Sequence, residues 1–73
     1  MRFYFSQPGN PPDEEGVEFV DADAAVREAA QTALLLARDQ QDLTDPLTLT
    51  VSSEDGTIGS VTVKVSIART PTR

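Results

Sequence analysis

Apolar and polar positions alternate at the start of the chain. Over residues 1–6, Phe3 and Phe5 fall on one face and Tyr4 on the other, because successive side chains of a strand point to opposite faces of a sheet. Residues 7–12 contain three prolines, one glycine and one asparagine, which interrupt regular structure. The pattern predicts a first strand with Phe3 and Phe5 in the core, followed by a loop.

Alternation resumes over residues 17–20, directly after Gly16. Val17 and Phe19 are predicted to face the core, which makes this segment a short second strand. The two strands are expected to pair as an antiparallel hairpin, and the loop between them forms its long tip.

The hydrophobic period changes at Asp21, where apolar residues begin to recur at helical spacing. At about 100° per residue, a helix over residues 22 to about 40 gathers its apolar residues on one buried stripe. The stripe consists of Ala22, Val26, Ala29, Ala33, Leu36 and Ala37. Asp21 or Asp23 is expected to cap the helix, since a carboxylate accepts backbone N–H bonds there and is stabilised by the helix dipole.

The remainder of the chain predicts a second hairpin. Residues 42–46 form a connection, because Pro46 stops further helix. Residues 47–52 alternate apolar and hydroxyl side chains, as in a strand with one wet face, and residues 53–56 end in an Asp-Gly turn signal. The inward residues of the last strand are Val61, Val63, Val65 and Ile67. Ile58 is out of phase with them and is followed by Gly59, which predicts a β-bulge.

These elements predict an α+β fold. It is a two-layer sandwich of ββαββ order, in which one helix packs on a four-stranded, mostly antiparallel sheet. A chain of 73 residues has room for one core, so residues 1–67 are predicted to form a single domain. Residues 68–73 lack a large apolar anchor and are predicted to be a disordered tail.

Composition narrows the classes of function. The chain has no cysteine and no histidine, which excludes disulfides and removes the usual zinc ligands. A domain this short gains little from burial, and self-association is the means of stabilisation that remains. The net charge of −6, with the cations scattered along the chain, disfavours binding to nucleic acid or an anionic membrane. With no apolar run of signal-peptide or membrane-spanning length, the expected compartment is the cytoplasm.

The order of the elements resembles a family of short bacterial proteins, domain of unknown function 6894. The resemblance rests on an arginine–aromatic strand, an acidic-Gly-Val-Glu turn, an aspartate helix cap, an alanine-rich helix and an Asp-Gly turn. The corresponding segments are residues 2–5, 13–18, 21, 24–37 and 55–56. The resemblance extends to about Ile67 and implies the same fold, without implying an activity. Members of the family often carry a histidine after the first strand, where this chain has Ser6.

Residues that suggest chemistry are few. An acidic run offers oxygen ligands of the kind that calcium or magnesium prefers, but its spacing matches no calcium loop, and we interpret it as a solvated turn and helix cap. The run consists of Asp13, Glu14, Glu15, Glu18, Asp21 and Asp23. The serines have no histidine to activate them, and Lys64 is interpreted as an ordinary solvated side chain. We predict no catalytic, cofactor-binding or metal-binding residue, and hence no enzyme.

Three side chains and one strand are candidates for protein contact. Leu34 and Leu35 lie off the buried stripe, and Tyr4 lies on the outer face of the sheet; exposed leucines and tyrosines often anchor interfaces. The strand over residues 47–52 carries no charge that would discourage pairing at a sheet edge. Strand addition there would give a symmetric dimer or the capture of an extended peptide.

The sequence therefore favours a small, non-enzymatic protein–protein interaction module that self-associates as a homodimer or binds another protein. The alternative is an antitoxin-like or regulatory acidic protein that covers a basic partner, an analogy that rests on the fold alone.

Overall fold

The computed structural model describes residues 1–10 and 15–71. Its elements are β1 (Arg2–Ser6), β2 (Val17–Glu18), α1 (Ala22–Arg38), β3 (Leu47–Ser53) and β4 (Gly56–Val63). The four strands form one antiparallel sheet in the order β2-β1-β3-β4, and α1 packs on it over β3 and β4. The predicted α+β fold and its ββαββ order are confirmed.

β1 is an inner strand that places aromatic residues in the core. Phe3 pairs with Val17 of β2, and Phe5 pairs with Val51 of β3. Phe3 is buried, and the rings of Phe3 and Phe5 both lie 6.1 Å from the ring of Phe19. Val17 was predicted to be a core residue, but it is about half exposed, because α1 lies over β3 and β4 rather than over β2.

The segment between β1 and β2 is only partly described. The loop predicted over residues 7–12 is described as far as Asn10, whose backbone N–H donates to the Gln7 carbonyl at 3.0 Å. β2 ends at Glu18, earlier than the predicted end at Val20. The N–H of Phe19 still donates to the Met1 carbonyl at 2.8 Å, so the two chain segments stay together just past the strand.

Asp21 caps α1. Its Oδ1 accepts a hydrogen bond from the Ala24 N–H at 2.8 Å, which selects Asp21 from the two predicted caps. The helix ends at Arg38, two residues before its predicted end. There the N–H groups of Asp39 and Gln40 donate to carbonyls three residues back, a tightening that commonly closes a helix.

α1 buries a row of alanines spaced four residues apart, namely Ala25, Ala29, Ala33 and Ala37. The predicted stripe omitted Ala25, which is fully buried, and wrongly included Leu36, which is more than one-third exposed. Residues four apart lie one above another on a helix face. Leu36 falls beside this row rather than in it, at the margin of the face that the sheet covers.

Two small clusters form the core between α1 and the sheet. The first consists of Phe3, Ala25, Ala29 and Val51, and the second of Ala33, Ala37, Leu47 and Leu49. Phe3 and Val51 are the largest side chains that are fully buried. Because alanine supplies half of the buried positions, a few larger side chains carry most of the packing between the layers.

The hairpin of β3 and β4 contains the predicted bulge. Val51 pairs with Gly59, whereas Ser52 pairs with Thr57. Ile58 is therefore an extra residue on β4 that has no counterpart on β3, which is the arrangement of a β-bulge.

β4 ends at Val63, earlier than the predicted end at Ile67. Val63 pairs with Leu47, the first residue of β3, and the preceding Pro46 has no backbone N–H to extend the ladder. Val65 and Ile67 therefore lie beyond the sheet and are exposed, so the prediction that they face the core is wrong.

The edges of the sheet differ from the prediction. β3 was considered a possible edge, but it lies between β1 and β4, and the edges are β2 and β4. The face of the sheet that points away from α1 carries hydroxyl side chains, and the Oγ1 atoms of Thr48 and Thr62 lie 2.9 Å apart across β3 and β4.

Candidate interaction surfaces

α1 presents large apolar side chains to solvent. Leu34 and Leu35 are 59% and 58% exposed, and Leu36 is 38% exposed. A surface helix ordinarily turns its large apolar residues towards the core, but this helix buries alanines there instead. We call Leu34 and Leu35 the leucine face; Leu36 points about 200° around the helix from Leu34 and lies on another side of it. The exposure of Leu34 and Leu35 agrees with the placement that the sequence predicted for them.

Tyr4 lies in the other layer of the molecule. It is half-buried on β1, and since the adjacent Phe3 points towards α1, Tyr4 points away from it. Its ring packs on the backbone of Gly16, where a Cβ atom would lie 2.7 Å from Tyr4 Cε1. The structure therefore does not bring Tyr4 together with Leu34 and Leu35.

The free edge of β4 is a third surface, which the sequence reasoning missed. None of the eight residues of β4 is charged. The chain continues from it as residues 64–71, all of them exposed and without helix or strand structure; we call this segment the C-terminal arm. A signal for this surface exists in the sequence, because all twelve acidic residues lie within residues 13–55, while residues 56–73 contain three basic residues and no acidic one.

An open concavity of about 310 Å³ lies where the ends of β1 and β2 meet the turn between β3 and β4. It is lined by Met1, Arg2, Glu18, Ser53, Glu54 and Asp55. The Met1 ammonium donates to Glu18 Oε2 at 3.0 Å, and Arg2 Nε lies 3.3 Å from Glu18 Oε1. Arg2 Nη1 also donates to the Glu15 carbonyl. These contacts pair exposed charges with one another and hold β1 against β2.

Glu18 is expected to titrate below its ordinary pKa of 4.5. The hydrogen bond from the Met1 ammonium is the main cause of the lowered pKa, and the positive charges of that ammonium and of Arg2 add to it. Because the folded-state pKa is lowered, the pairing stabilises the fold above the ordinary pKa and is lost as the pH falls through the folded-state value. NMR titration of the Glu18 carboxyl measures this. Arg2→Gln should return the pKa part of the way, and a pKa at or above 4.5 in the unsubstituted protein would contradict the pairing.

Over residues 1–10 and 15–71, no three carboxylates come together as ligands for a metal ion. Asp13 and Glu14 of the acidic run lie outside these residues. No helix of the described part of the chain is long and apolar enough to cross a membrane.

Comparison with known proteins identifies a family. No curated protein and no solved structure matches the chain. A family model matches residues 2–64, which begin with β1 and end one residue after β4, so nearly all of the C-terminal arm lies outside the match. Since the match covers well over half of the 73 residues, the chain belongs to the family described as Domain of unknown function (DUF6894).

Proposed function

We propose that this protein is a non-enzymatic protein–protein interaction module that acts as a homodimer and contacts another protein through the leucine face of α1. The observation that carries the proposal is the inverted distribution of side chains on α1, with alanines buried and leucines exposed. Burying one leucine side chain stabilises a protein or complex by roughly 1.5–3 kcal/mol. Because the leucines of α1 are exposed, they gain this stabilisation only when a partner buries them.

The surroundings of the leucine face suit a protein interface. Interfaces combine an apolar centre with a polar rim, and the exposed side chains of Arg38 and Asp39 lie directly after the leucines, with Arg38 Nε 3.7 Å from Asp39 Oδ1. Gln31 is exposed one turn before Leu35, and Glu28 is exposed two turns before it. The leucine face is thus a small apolar patch bordered by both signs of charge and by an amide.

The composition supports the non-enzymatic part of the proposal. The chain contains no histidine, the commonest general base, and no cysteine, an intrinsically strong nucleophile. The absence of cysteine is also compatible with a reducing compartment, and we propose the bacterial cytoplasm as the setting.

The experiment that tests the leucine face compares capture by two variants. Tagged protein is used to capture partners from a lysate of its own host, and co-purifying species are quantified by mass spectrometry. We expect a stoichiometric partner that is lost with Leu35→Glu, because a buried unpaired carboxylate is strongly unfavourable. Asn10→Asp adds the same charge in the exposed loop after β1, outside α1, and is expected to retain the partner. Equal capture by both variants, or no partner for the unsubstituted protein, would contradict the proposal.

A second candidate function is that of an acidic protein that covers a basic partner. The observation that favours it is the confinement of all twelve acidic residues to residues 13–55. Salt distinguishes the two functions, since contact between exposed opposite charges weakens as ionic strength rises, while apolar contact does not. Loss of the captured protein at high salt, together with its retention by Leu35→Glu, would favour the acidic-partner function.

A further inference from the structure

β4 is an unprotected sheet edge. It is eight residues long and contains neither charge nor proline, although natural edge strands are usually blunted by charge, proline or shortness. The opposite edge follows that rule, because β2 has only two residues and its Glu18 is paired with Arg2. The bulge at Ile58 disturbs the start of β4. The stretch from Gly59 to Val63 is therefore open to pairing with another strand.

The C-terminal arm continues the strand pattern of β4 beyond the sheet. Val65 and Ile67 keep the alternation of Val61 and Val63, at positions where β3 offers no further residue for pairing. Ile67 is 63% exposed. The arm thus has the alternating sequence of a half-buried strand. Within the described residues, its own chain offers no neighbouring strand with which it could pair.

The chain is more open than a folded monomer of its size. Its radius of gyration is 14.8 Å, whereas a compact domain of this length has a radius of about 11 Å. Its accessible surface is 5630 Å², against about 4,400 Å² for a compact monomer of the same mass. The excess reflects segments such as the C-terminal arm, which is exposed along its whole described length.

The charges of the arm and of the rest of the chain are complementary. Residues 56–73 carry three positive charges and no negative one, whereas residues 1–55 carry twelve acidic and three basic residues. Contact between the arm of one copy and the body of a second copy therefore offsets part of the repulsion between two chains that each carry a net charge of −6. Attraction of this kind favours association and helps to set its register.

We propose that β4 and the C-terminal arm pair antiparallel with the same segment of a second copy, about a two-fold axis at Val63. This inference rests on the homodimer of the proposed function and specifies its interface. The two sheets become one sheet of eight strands, since each copy contributes four. Because α1 lies over β3 and β4, both helices lie on the same side of the joined sheet.

The register follows from side-chain alternation. Residues opposite each other in an antiparallel pair share a face, so Val65 of one copy must oppose an inward residue of the other. With the axis at Val63, Val65 lies opposite the partner's Val61, and Ile67 lies opposite the partner's Gly59. A Cβ atom built at Gly59 meets nothing within 4 Å, which leaves room for the isoleucine.

The same register also places opposite charges together. Counting outward from Val63, Arg69 lies opposite the partner's Thr57, within reach of an ion pair with the partner's Asp55 two residues farther along. Moving the axis two residues towards Ile67 would instead set Arg69 opposite the partner's Val61 and remove this pairing. The axis at Val63 therefore pairs the inward apolar residues with one another and brings Arg69 close to an acidic residue of the partner.

Cysteine cross-linking tests this register directly, since the chain has no native cysteine. In the proposed interface, Ser60 of one copy lies opposite Ser66 of the other copy. The two copies of Ser60 lie six residues apart, roughly 20 Å along the strand. Full-length Ser60→Cys and Ser66→Cys are oxidised separately and as an equimolar mixture. We expect at least tenfold more disulfide-linked dimer in the mixture than in either variant alone.

A second variant tests the contribution of the arm. Ile67→Glu places a charge at the interface without affecting the folded monomer, where Ile67 is exposed. We expect its dimer dissociation constant, measured by sedimentation, to rise at least tenfold. Gln41→Glu, exposed in the connection between α1 and β3 and outside the proposed interface, is expected to leave that constant unchanged.

The outcomes separate this inference from the proposed function. A dimer that cross-links no better in the mixture, or that tolerates Ile67→Glu unchanged, overturns the β4 interface and leaves the homodimer intact. A monomer at every concentration overturns both, and the β4 edge would then be open to another occupant, such as an extended segment of a different protein.

Discussion

Replacing Phe3 by alanine is expected to destabilise the fold by about 3–5 kcal/mol, the usual cost of removing a buried phenylalanine side chain. Phe3 is 1% exposed and lies in the cluster that joins β1 to the alanines of α1. Small neighbouring side chains such as Ala25 and Ala29 cannot fill the space that the ring leaves. A domain of 73 residues has a total stability of roughly 4–11 kcal/mol, so the variant should be largely unfolded or close to it.

Urea unfolding followed by circular dichroism measures this effect. The two proteins must be compared at one concentration, because the stability of a dimer depends on concentration. Phe3→Leu is the matched control and is expected to cost under about 1.5 kcal/mol, since it retains most of the apolar volume. A Phe3→Ala variant whose free energy of unfolding lies within about 1 kcal/mol of that of the unsubstituted protein would show that the cluster does not hold the layers together.

Replacing Gly16 by alanine is expected to have the second largest effect. Gly16 has a φ of +68°, a conformation that costs a non-glycine residue roughly 1–2 kcal/mol. Its new Cβ atom would also lie 2.9 Å from the Phe3 carbonyl oxygen and 2.7 Å from Tyr4 Cε1. The carbonyl belongs to a paired strand and cannot move away, so steric strain adds about 1–3 kcal/mol.

Gly9 provides the control for Gly16→Ala. Its φ is +87°, but a Cβ atom built there meets nothing within 4 Å. Gly9→Ala therefore carries only the conformational cost of about 1–2 kcal/mol. Thermal unfolding should show a clearly lower Tm for Gly16→Ala than for Gly9→Ala. Equal losses in the two variants would mean that Gly16 is required for its backbone angle alone and that the contact with Tyr4 is not tight.

Local features of the fold were predictable from the sequence. The Asp21 cap, the alanine-rich helix, the Asp-Gly hairpin and the bulge at Ile58 each depend on residues that are close together in the chain. The inward positions of Phe3 and Phe5 followed from alternation for the same reason. In each case, the information lies within a few residues of the feature itself.

Features that depend on distant segments were not predictable in this way. β3 lies inside the sheet because it pairs with β1, about forty-five residues earlier in the chain, and no local pattern indicates that pairing. β4 ends at Val63 because β3 begins at Leu47 after a proline, although the alternation itself continues to Ile67. Val17 is exposed because of the position of α1 over other strands.

The candidate interaction surfaces also differ in whether they depend on local or on distant parts of the chain. The exposure of Leu34 and Leu35 followed from helical geometry, which is local. Identifying β4 as a free edge requires the strand order of the sheet. The position of the arm beyond the sheet depends on where β3 begins, which is also a non-local feature. The separation of acidic and basic residues along the chain was present in the sequence, but it acquires a structural meaning only once residues 56–73 are known to form an edge and an arm.

Sedimentation equilibrium of the full-length protein, at several concentrations and near-physiological salt, tests the central claim that this module self-associates. We expect a species of twice the 7.9 kDa chain mass, dissociating on dilution to a folded or partly unfolded monomer. A single 7.9 kDa species with the circular dichroism of a folded domain at every concentration would contradict it.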